Sequence, residues 1–205
     1  MEIDPTQETP RDFYFRMVSL ITPRPIAWVS TLSNDGVPNL APYSFFNGIS
    51  AAPPSVVFSP VNKPDGSKKD TVLNIEQNQE FVINVVSRSI AEKMNVTAGD
   101  YPFEESEFDA AGLTPLPSQT VKPFRVAESL AHFECELIQI VNVGEGPLAA
   151  NLVIGKIKHL HINDDVIDEN GRVNAEKLDN VGRLGGALYS TTRDRFEIQR
   201  PTVQK

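Results

Sequence analysis

Apolar residues in this chain fall mostly in short runs broken by Gly, Pro and Asn, a strand-like pattern with few helical stretches. Asp12 to Leu20 predicts a short helix leading into the Pro23-Arg24-Pro25 corner. Ile26 to Leu32 predicts a strand, Asn34-Asp35-Gly36 a hairpin turn, and Val37 to Tyr43 the returning strand. Pro38 and Pro42 restrict that return to an edge or a bulge. The segment after it, dense in Ser, Asn and Phe, reads as a turn that Pro53-Pro54 stops, and Val56 to Ser59 as a third strand.

Further along, Asp70 to Gln77 predicts a helix with Val72, Leu73 and Ile75 toward the core. Phe81 to Val86 is a buried strand, and Ser89 to Val96 a second short helix ended by Thr97-Ala98-Gly99. Asp100 to Phe124, rich in Pro, acids and aromatics, predicts a long ordered loop of the kind that covers a site or meets a partner. His132 to Val143 and Leu152 to Ile162 are long strands joined across Gly144-Glu145-Gly146-Pro147. Asp164 to Gly171 is turn material, Val173 to Leu178 a helical turn, and Arg183-Leu184-Gly185-Gly186 a tight backbone site before Tyr189. Strands outnumber helices at turn spacings that suggest a small closed or half-closed barrel. A parallel α/β sheet is disfavoured because regular helices between the strands are missing.

With 205 residues the chain is expected to form one domain, residues 1–205. A formal net charge of −8 argues against nucleic acid or an anionic membrane as the main partner. No apolar run approaches the roughly 20 residues needed to span a bilayer. The acidic N-terminal segment lacks the apolar core of a signal peptide, and the lone Cys135 excludes an intrachain disulfide. A cytoplasmic location is expected.

Ser67-Lys68-Lys69-Asp70-Thr71 stands at a predicted helix start, where unpaired N–H groups and the helix dipole favour an anion. Two lysines and two hydroxyls would add donors for a single phosphate; the plainer reading is a solvated turn with an N-cap. Ser30, Thr31, Tyr43, Ser44, Asn47 and Ser50 cluster in the hairpin arms and the turn beyond them, offering hydroxyls and amides to ring carbonyls, a sugar chain or phosphate. Trp28, Tyr43, Phe45 and Phe46 either wall a planar ring or fill a core.

Gly144-x-Gly146-x-x-Ala149 loosely fits a dinucleotide fingerprint, yet Pro147 and the extended segment behind it replace the required helix, so it is assigned to a hairpin. His159-x-His161 puts two imidazoles on one strand face, a candidate metal pair with His132 or a carboxylate, though no second ligand cluster stands at suitable spacing. Cys135 reads as a buried small hydrophobe, and the sequence has no G-x-S-x-G elbow.

The run PRPIAWVST, then NDG, NLAPYSFFNGIS and PP, resembles the flavin reductase-like family of FMN-binding split-barrel proteins, which includes flavoredoxins and NAD(P)H:flavin oxidoreductases. KKDTVLNI, EFVINVV, GKIKHLHIND and RLGGALYS continue the resemblance in order over nearly the whole chain. It implies a mainly β, Greek-key split barrel with a few short helices, a homodimer, and one FMN per subunit near the dimer interface. Carried over, the phosphate and ribityl end would meet Thr31, Tyr43, Ser44 and Lys69-Asp70-Thr71. The ring would lie near Arg24-Pro25, Trp28, Asn47 and Ser50. Arg183 and Tyr189 would approach from the late block, from the partner subunit in one arrangement, and His161 is a weak catalytic candidate. The implied activity is hydride transfer from NADH or NADPH to flavin, with electrons passed to a small molecule or a redox partner protein. The alternatives are an FMN electron carrier without NAD(P)H activity and a His-based metal-binding barrel.

Overall fold

The computed structural model describes residues 1–203. Its strands in chain order are β1 (Arg24–Pro25), β2 (Ala27–Leu32), β3 (Pro38–Tyr43), β4 (Phe46–Ala51), β5 (Pro54–Phe58) and β6 (Glu80–Asn84). They continue with β7 (Pro115–Leu116), β8 (Arg125–Val126), β9 (Ala131–Val143), β10 (Ala150–Ile162), β11 (Val181–Arg183) and β12 (Tyr189–Thr191). The helices are α1 (Pro10–Leu20), α2 (Asp70–Asn78), α3 (Ala91–Val96), α4 (Glu107–Ala110) and α5 (Ala175–Leu178).

Seven strands form one antiparallel sheet in the order β3-β2-β6-β9-β10-β5-β4. Its two edges, β3 and β4, are consecutive in the chain, with only Ser44 and Phe45 between them. Three residue steps span at most about 11 Å, so the sheet has to curl until its edges meet. Tyr43 of β3 and Phe58 of β5 pack there with ring centroids 5.5 Å apart. The result is a Greek-key split barrel with a few short helices.

Strand β2 is buried along both faces, and period-two alternation sends its side chains to two different cores. Ala27 and Val29 point into the barrel with Val56, Phe58, Ile75, Phe81, Ile83, Cys135 and Val153. Ile26 and Trp28 point the other way, into a layer built with Leu40, Met94, Phe108, Leu113, Val126 and Val181. Barrel packing is tight enough to require glycine at Gly155, where an added Cβ would lie 2.3 Å from Phe81 Cζ.

Most expected elements are present within a residue or two. Residues 46–51 are an exception: they form the edge strand β4 instead of a turn, because pairing with β5 satisfies their backbone groups on one side. The segment 144–149 is a hairpin connection, with Gly144, Gly146 and Leu148 at positive φ. The 100–124 stretch is ordered by α4 and β7 and by polar anchors. Glu80 accepts from the Lys122 amide, and Ser30 donates to the Phe124 carbonyl.

Candidate functional site

The alternation that splits the cores also decides which polar residues of the first hairpin can meet. Thr31 stands opposite Asn39 and Ala27 opposite Tyr43, so Thr31, Asn39 and Tyr43 share a face. Helix α2 packs against that face and brings Thr71 and Asn74 to it. Tyr43 Oη donates to Thr71 Oγ1 at 2.9 Å, and Thr71 donates to Asn39 Oδ1 at 2.8 Å. Thr31 also donates to Asn39 Oδ1, at 3.2 Å, while Asn74 donates to Thr31 at 3.0 Å. Glu107 of α4 completes the network, accepting from Asn39 Nδ2 and the Leu40 amide, each at 2.8 Å. Burial raises the Glu107 pKa against the pull of the Leu40 amide, and burial likewise raises that of Tyr43, which therefore stays a phenol donor.

Above the network lies a cavity of about 400 Å³ lined by Asn39, Tyr43, Lys63, Lys69, Asp70, Thr71, residues 97–101 and Glu107, among others. Helix α2 starts at its wall with Lys69 as N-cap and no side-chain cap; the Val72 amide bonds back to the Lys69 carbonyl, which leaves the Asp70 and Thr71 N–H groups available to an anion. The lysines are not free cations, contrary to the sequence expectation of a basic turn. Lys63 pairs with Asp70 at 3.0 Å, Lys69 with Asp100 at 2.9 Å, and Lys68 with Glu76 outside the cavity. Exposed pairs of this kind hold weakly and yield to a stronger anion.

Of the residues expected to hold a cofactor, the structure brings Tyr43, Lys69, Asp70 and Thr71 to the cavity. The others lie elsewhere in the structure. Thr31 is buried with its hydroxyl committed to Asn39 and Asn74. Trp28 is fully enclosed on the opposite face of β2, where Nε1 donates to Thr97 Oγ1 at 2.8 Å, so it supports the cavity wall from behind. Arg24 is buried and donates to the carbonyls of Val18, Ile21 and Leu184 and to Ser44 Oγ, a structural clamp for the chain entering the barrel.

Pro25, Asn47 and Ser50 are exposed and away from the cavity, the last two on edge strand β4. Arg183 and Tyr189 line a separate depression of about 530 Å³ beside α3, the guanidinium 4.5 Å from the ring centroid. His161 lies elsewhere again: Nε2 is 2.6 Å from Glu134, a buried carboxylate that also accepts from the Gln119 and Thr120 amides and the Thr120 hydroxyl. His159 and His161 do share a face, with ring centroids 4.4 Å apart, but among the described residues no three potential metal ligands converge.

The sequence model of the flavin reductase like domain matches residues 18–185. The chain belongs to the flavin reductase like family. One relative of this family member is an uncharacterized protein of Aquifex aeolicus, 42% identical over 184 residues, a match that covers 89% of this chain and 92% of that one. Among solved structures, nitrilotriacetate monooxygenase component B from Bacillus cereus is 34% identical with a TM-score of 0.92, over 97% of this chain and 98% of that one. The 2-nitrobenzoate 2-nitroreductase NbaA of Pseudomonas fluorescens is 32% identical with a TM-score of 0.89, over 98% and 97%.

Residues that sequence reasoning missed in this flavin reductase-like chain are Asn39, Lys63, Asp100, Tyr101 and Glu107. Asn39 carried a usable signal, a polar side chain two places from Ala41 and four from Tyr43 on one strand face. Glu107 carried none, because its partner lies 68 residues away.

Proposed function

We propose that this protein is an FMN-binding oxidoreductase of flavin reductase type, taking hydride from NADH or NADPH and passing electrons to an acceptor. The observation that carries the reading is the uncapped start of α2 opening onto a cavity that also presents Lys63, Lys69 and the Tyr43–Thr71 hydroxyl pair. Such a donor set fits a sugar phosphate, and the family match points to a flavin. The solved relatives are named for a monooxygenase component and a nitroreductase, both redox proteins. FMN, when bound, supplies the hydride-accepting and electron-passing chemistry.

The chain's own part is to bind and orient. The α2 amides and the two lysines would hold the phosphate, which takes over the ammonium contacts now made by Asp70 and Asp100. Ser44, Asn47 and Ser50, with the unpaired outer edge of β4, are the polar groups offered to the ring. No side-chain acid or nucleophile is required for hydride transfer, so none is assigned; His161 is spent on Glu134.

A homodimer is part of the proposal. Ile138, Val143 and Leu148 are exposed along and at the tip of the β9–β10 hairpin, an apolar arm suited to a second copy. Among the described residues no helix is long and apolar enough to cross a membrane. A cytoplasmic setting is also part of the proposal, in keeping with a chain whose single cysteine, Cys135, leaves no intrachain disulfide to form.

Anaerobic addition of NADH or NADPH to FMN-loaded protein tests the reading: bleaching of the flavin absorbance supports it. Bound FMN that stays oxidised assigns the chain to electron carriage, and protein that ignores added FMN ends the proposal.

A further inference from the structure

We propose that the depression beside α3 is a second ligand site, built for a nucleoside phosphate, with the base against the Tyr189 ring and the phosphate on Arg183 and Arg88. It shares no lining residue with the cavity at the start of α2, and the proposal stands whatever that cavity holds.

Strand pairing sets two like charges side by side. β1 and β11 pair so that Arg24 stands directly opposite Arg183, an arrangement that costs stability unless each charge is answered. Arg24 is answered, because its guanidinium is buried against the carbonyls of Val18, Ile21 and Leu184. Arg183 is answered only in part. Its guanidinium donates to the Gly186 carbonyl and lies 4.5 Å from the Tyr189 ring centroid. Among the described residues it has no carboxylate within ion-pair distance. Half-buried in a depression, such an arginine is open to an anion even in a chain of formal net charge −8.

The same depression supplies a second cation. Arg88 lines it, tied to Glu92 in a pair whose side chains are 48% and 71% exposed, the kind that yields to a stronger anion. Two guanidiniums against one carboxylate match a group of nearly two negative charges, which a phosphate monoester carries at neutral pH and a carboxylate does not. Ser190 and Thr191 add hydroxyls to the lining. Size and surface decide the rest of the ligand. A volume of about 530 Å³ lies in the range that holds an organic molecule and far exceeds what a bare phosphate needs. Ala91, Val181 and Ala187 contribute apolar surface. The partly exposed Tyr189 ring is fixed by its hydroxyl, which donates to Asn95 Oδ1 at 3.3 Å. An anchored aromatic ring beside two arginines suits a planar base that carries a phosphate.

Isothermal titration calorimetry with adenosine 5′-monophosphate (AMP), adenosine and inorganic phosphate tests the site in the wild type, Arg183→Gln, Arg88→Gln, Tyr189→Leu and Lys69→Ala. AMP should bind at least about tenfold more tightly than either adenosine or phosphate, the worth of one charge-assisted bond. Arg183→Gln should remove most of the advantage over adenosine, and Tyr189→Leu should weaken AMP and adenosine together. Arg88→Gln, at an exposed side chain whose loss leaves the fold standing, should reduce AMP affinity about threefold or more. Lys69→Ala should leave AMP binding unchanged. NADP⁺ binding more tightly than AMP would identify the ligand as the adenylate half of a dinucleotide, and NADP⁺ binding no more tightly as a free mononucleotide. AMP that binds no better than phosphate, or an affinity untouched in both arginine variants, overturns the proposal. So does AMP binding lost in Lys69→Ala but kept in Arg183→Gln, which would move the nucleotide to the cavity at α2. None of these results bears on whether FMN fills that cavity.

Discussion

Asn39 donates its amide to the Glu107 carboxylate across 2.8 Å while its carbonyl oxygen receives the Thr71 hydroxyl at 2.8 Å. One side chain on an edge strand therefore ties α2, whose start forms the proposed phosphate site, to α4 in the long connecting segment. Replacing it by leucine would leave the buried Thr71 hydroxyl without its acceptor and the Glu107 carboxylate without one of its two donors, the Leu40 amide being retained. Asn39→Leu is expected to lower stability by about 1–3 kcal/mol for each group left unpaired, and to weaken FMN binding with it. An unchanged urea midpoint would show that the network is not holding these elements together.

Acid should loosen the 117–126 segment through two buried groups. His132 is pushed down to about 4 from 6.5, chiefly by burial, with Arg125 and His161 adding to the effect against the Val126 carbonyl bond. Burial raises Glu134, but bonds from the Thr120 hydroxyl, the Gln119 amide, His161 and the Thr120 amide outweigh it and hold the carboxyl at about 2 against 4.5. Both folded values lie below the unfolded ones, so both contributions are lost as pH falls. The histidine contribution fades from pH 6.5 toward 4 and the carboxylate contribution from 4.5 toward 2, each on the order of 3 kcal/mol. Urea unfolding from neutral pH down to the folded histidine value should show stability falling, with a flatter profile over that range in His132→Gln. A parallel profile in that variant would assign the loss to other groups.

Gly155→Ala should overpack the barrel, since the new methyl would sit 2.3 Å from Phe81 Cζ. The expected cost is about 1–3 kcal/mol, and Phe81→Leu in the same chain should recover part of it. A double-mutant cycle with no coupling between the two positions would contradict the contact.

Trp28→Phe keeps the enclosed ring but removes the bond to Thr97, leaving a buried hydroxyl with one partner fewer. A loss of about 1–2 kcal/mol is expected, with the visible absorption of bound flavin unshifted because Trp28 lies behind the cavity wall. A shifted flavin band in this variant would put the indole next to the ring after all.

The barrel was legible because its strands carry local signals: the Asn34-Asp35-Gly36 turn, Pro38 and Pro42 marking β3 as an edge strand, and the long apolar runs of β9 and β10. The helix start at one wall of the cavity was legible too, since Lys69-Asp70-Thr71 begins a helix by local rules. Parity within β2 could have taken the reading further. Trp28 and Thr31 stand three residues apart on a strand and so face opposite sides, which forbids a shared ligand. What no local pattern carries is pairing at a distance. The Lys69–Asp100 and Asn39–Glu107 bonds span 31 and 68 residues, and the first of them puts a carboxylate on a turn expected to be basic. Edge strand β4 was missed for the same reason, because its strand character comes from β5 and not from its own Asn, Gly and Ser residues.

Parallel titrations of the protein with FMN and with riboflavin, repeated in Lys69→Ala, address the phosphate site most directly. FMN should bind at least about tenfold more tightly than riboflavin, as charge-assisted bonds to a phosphate require, and Lys69→Ala should narrow that gap. Equal affinities for the two flavins, or a gap untouched by the substitution, would place the cofactor's phosphate away from the start of α2.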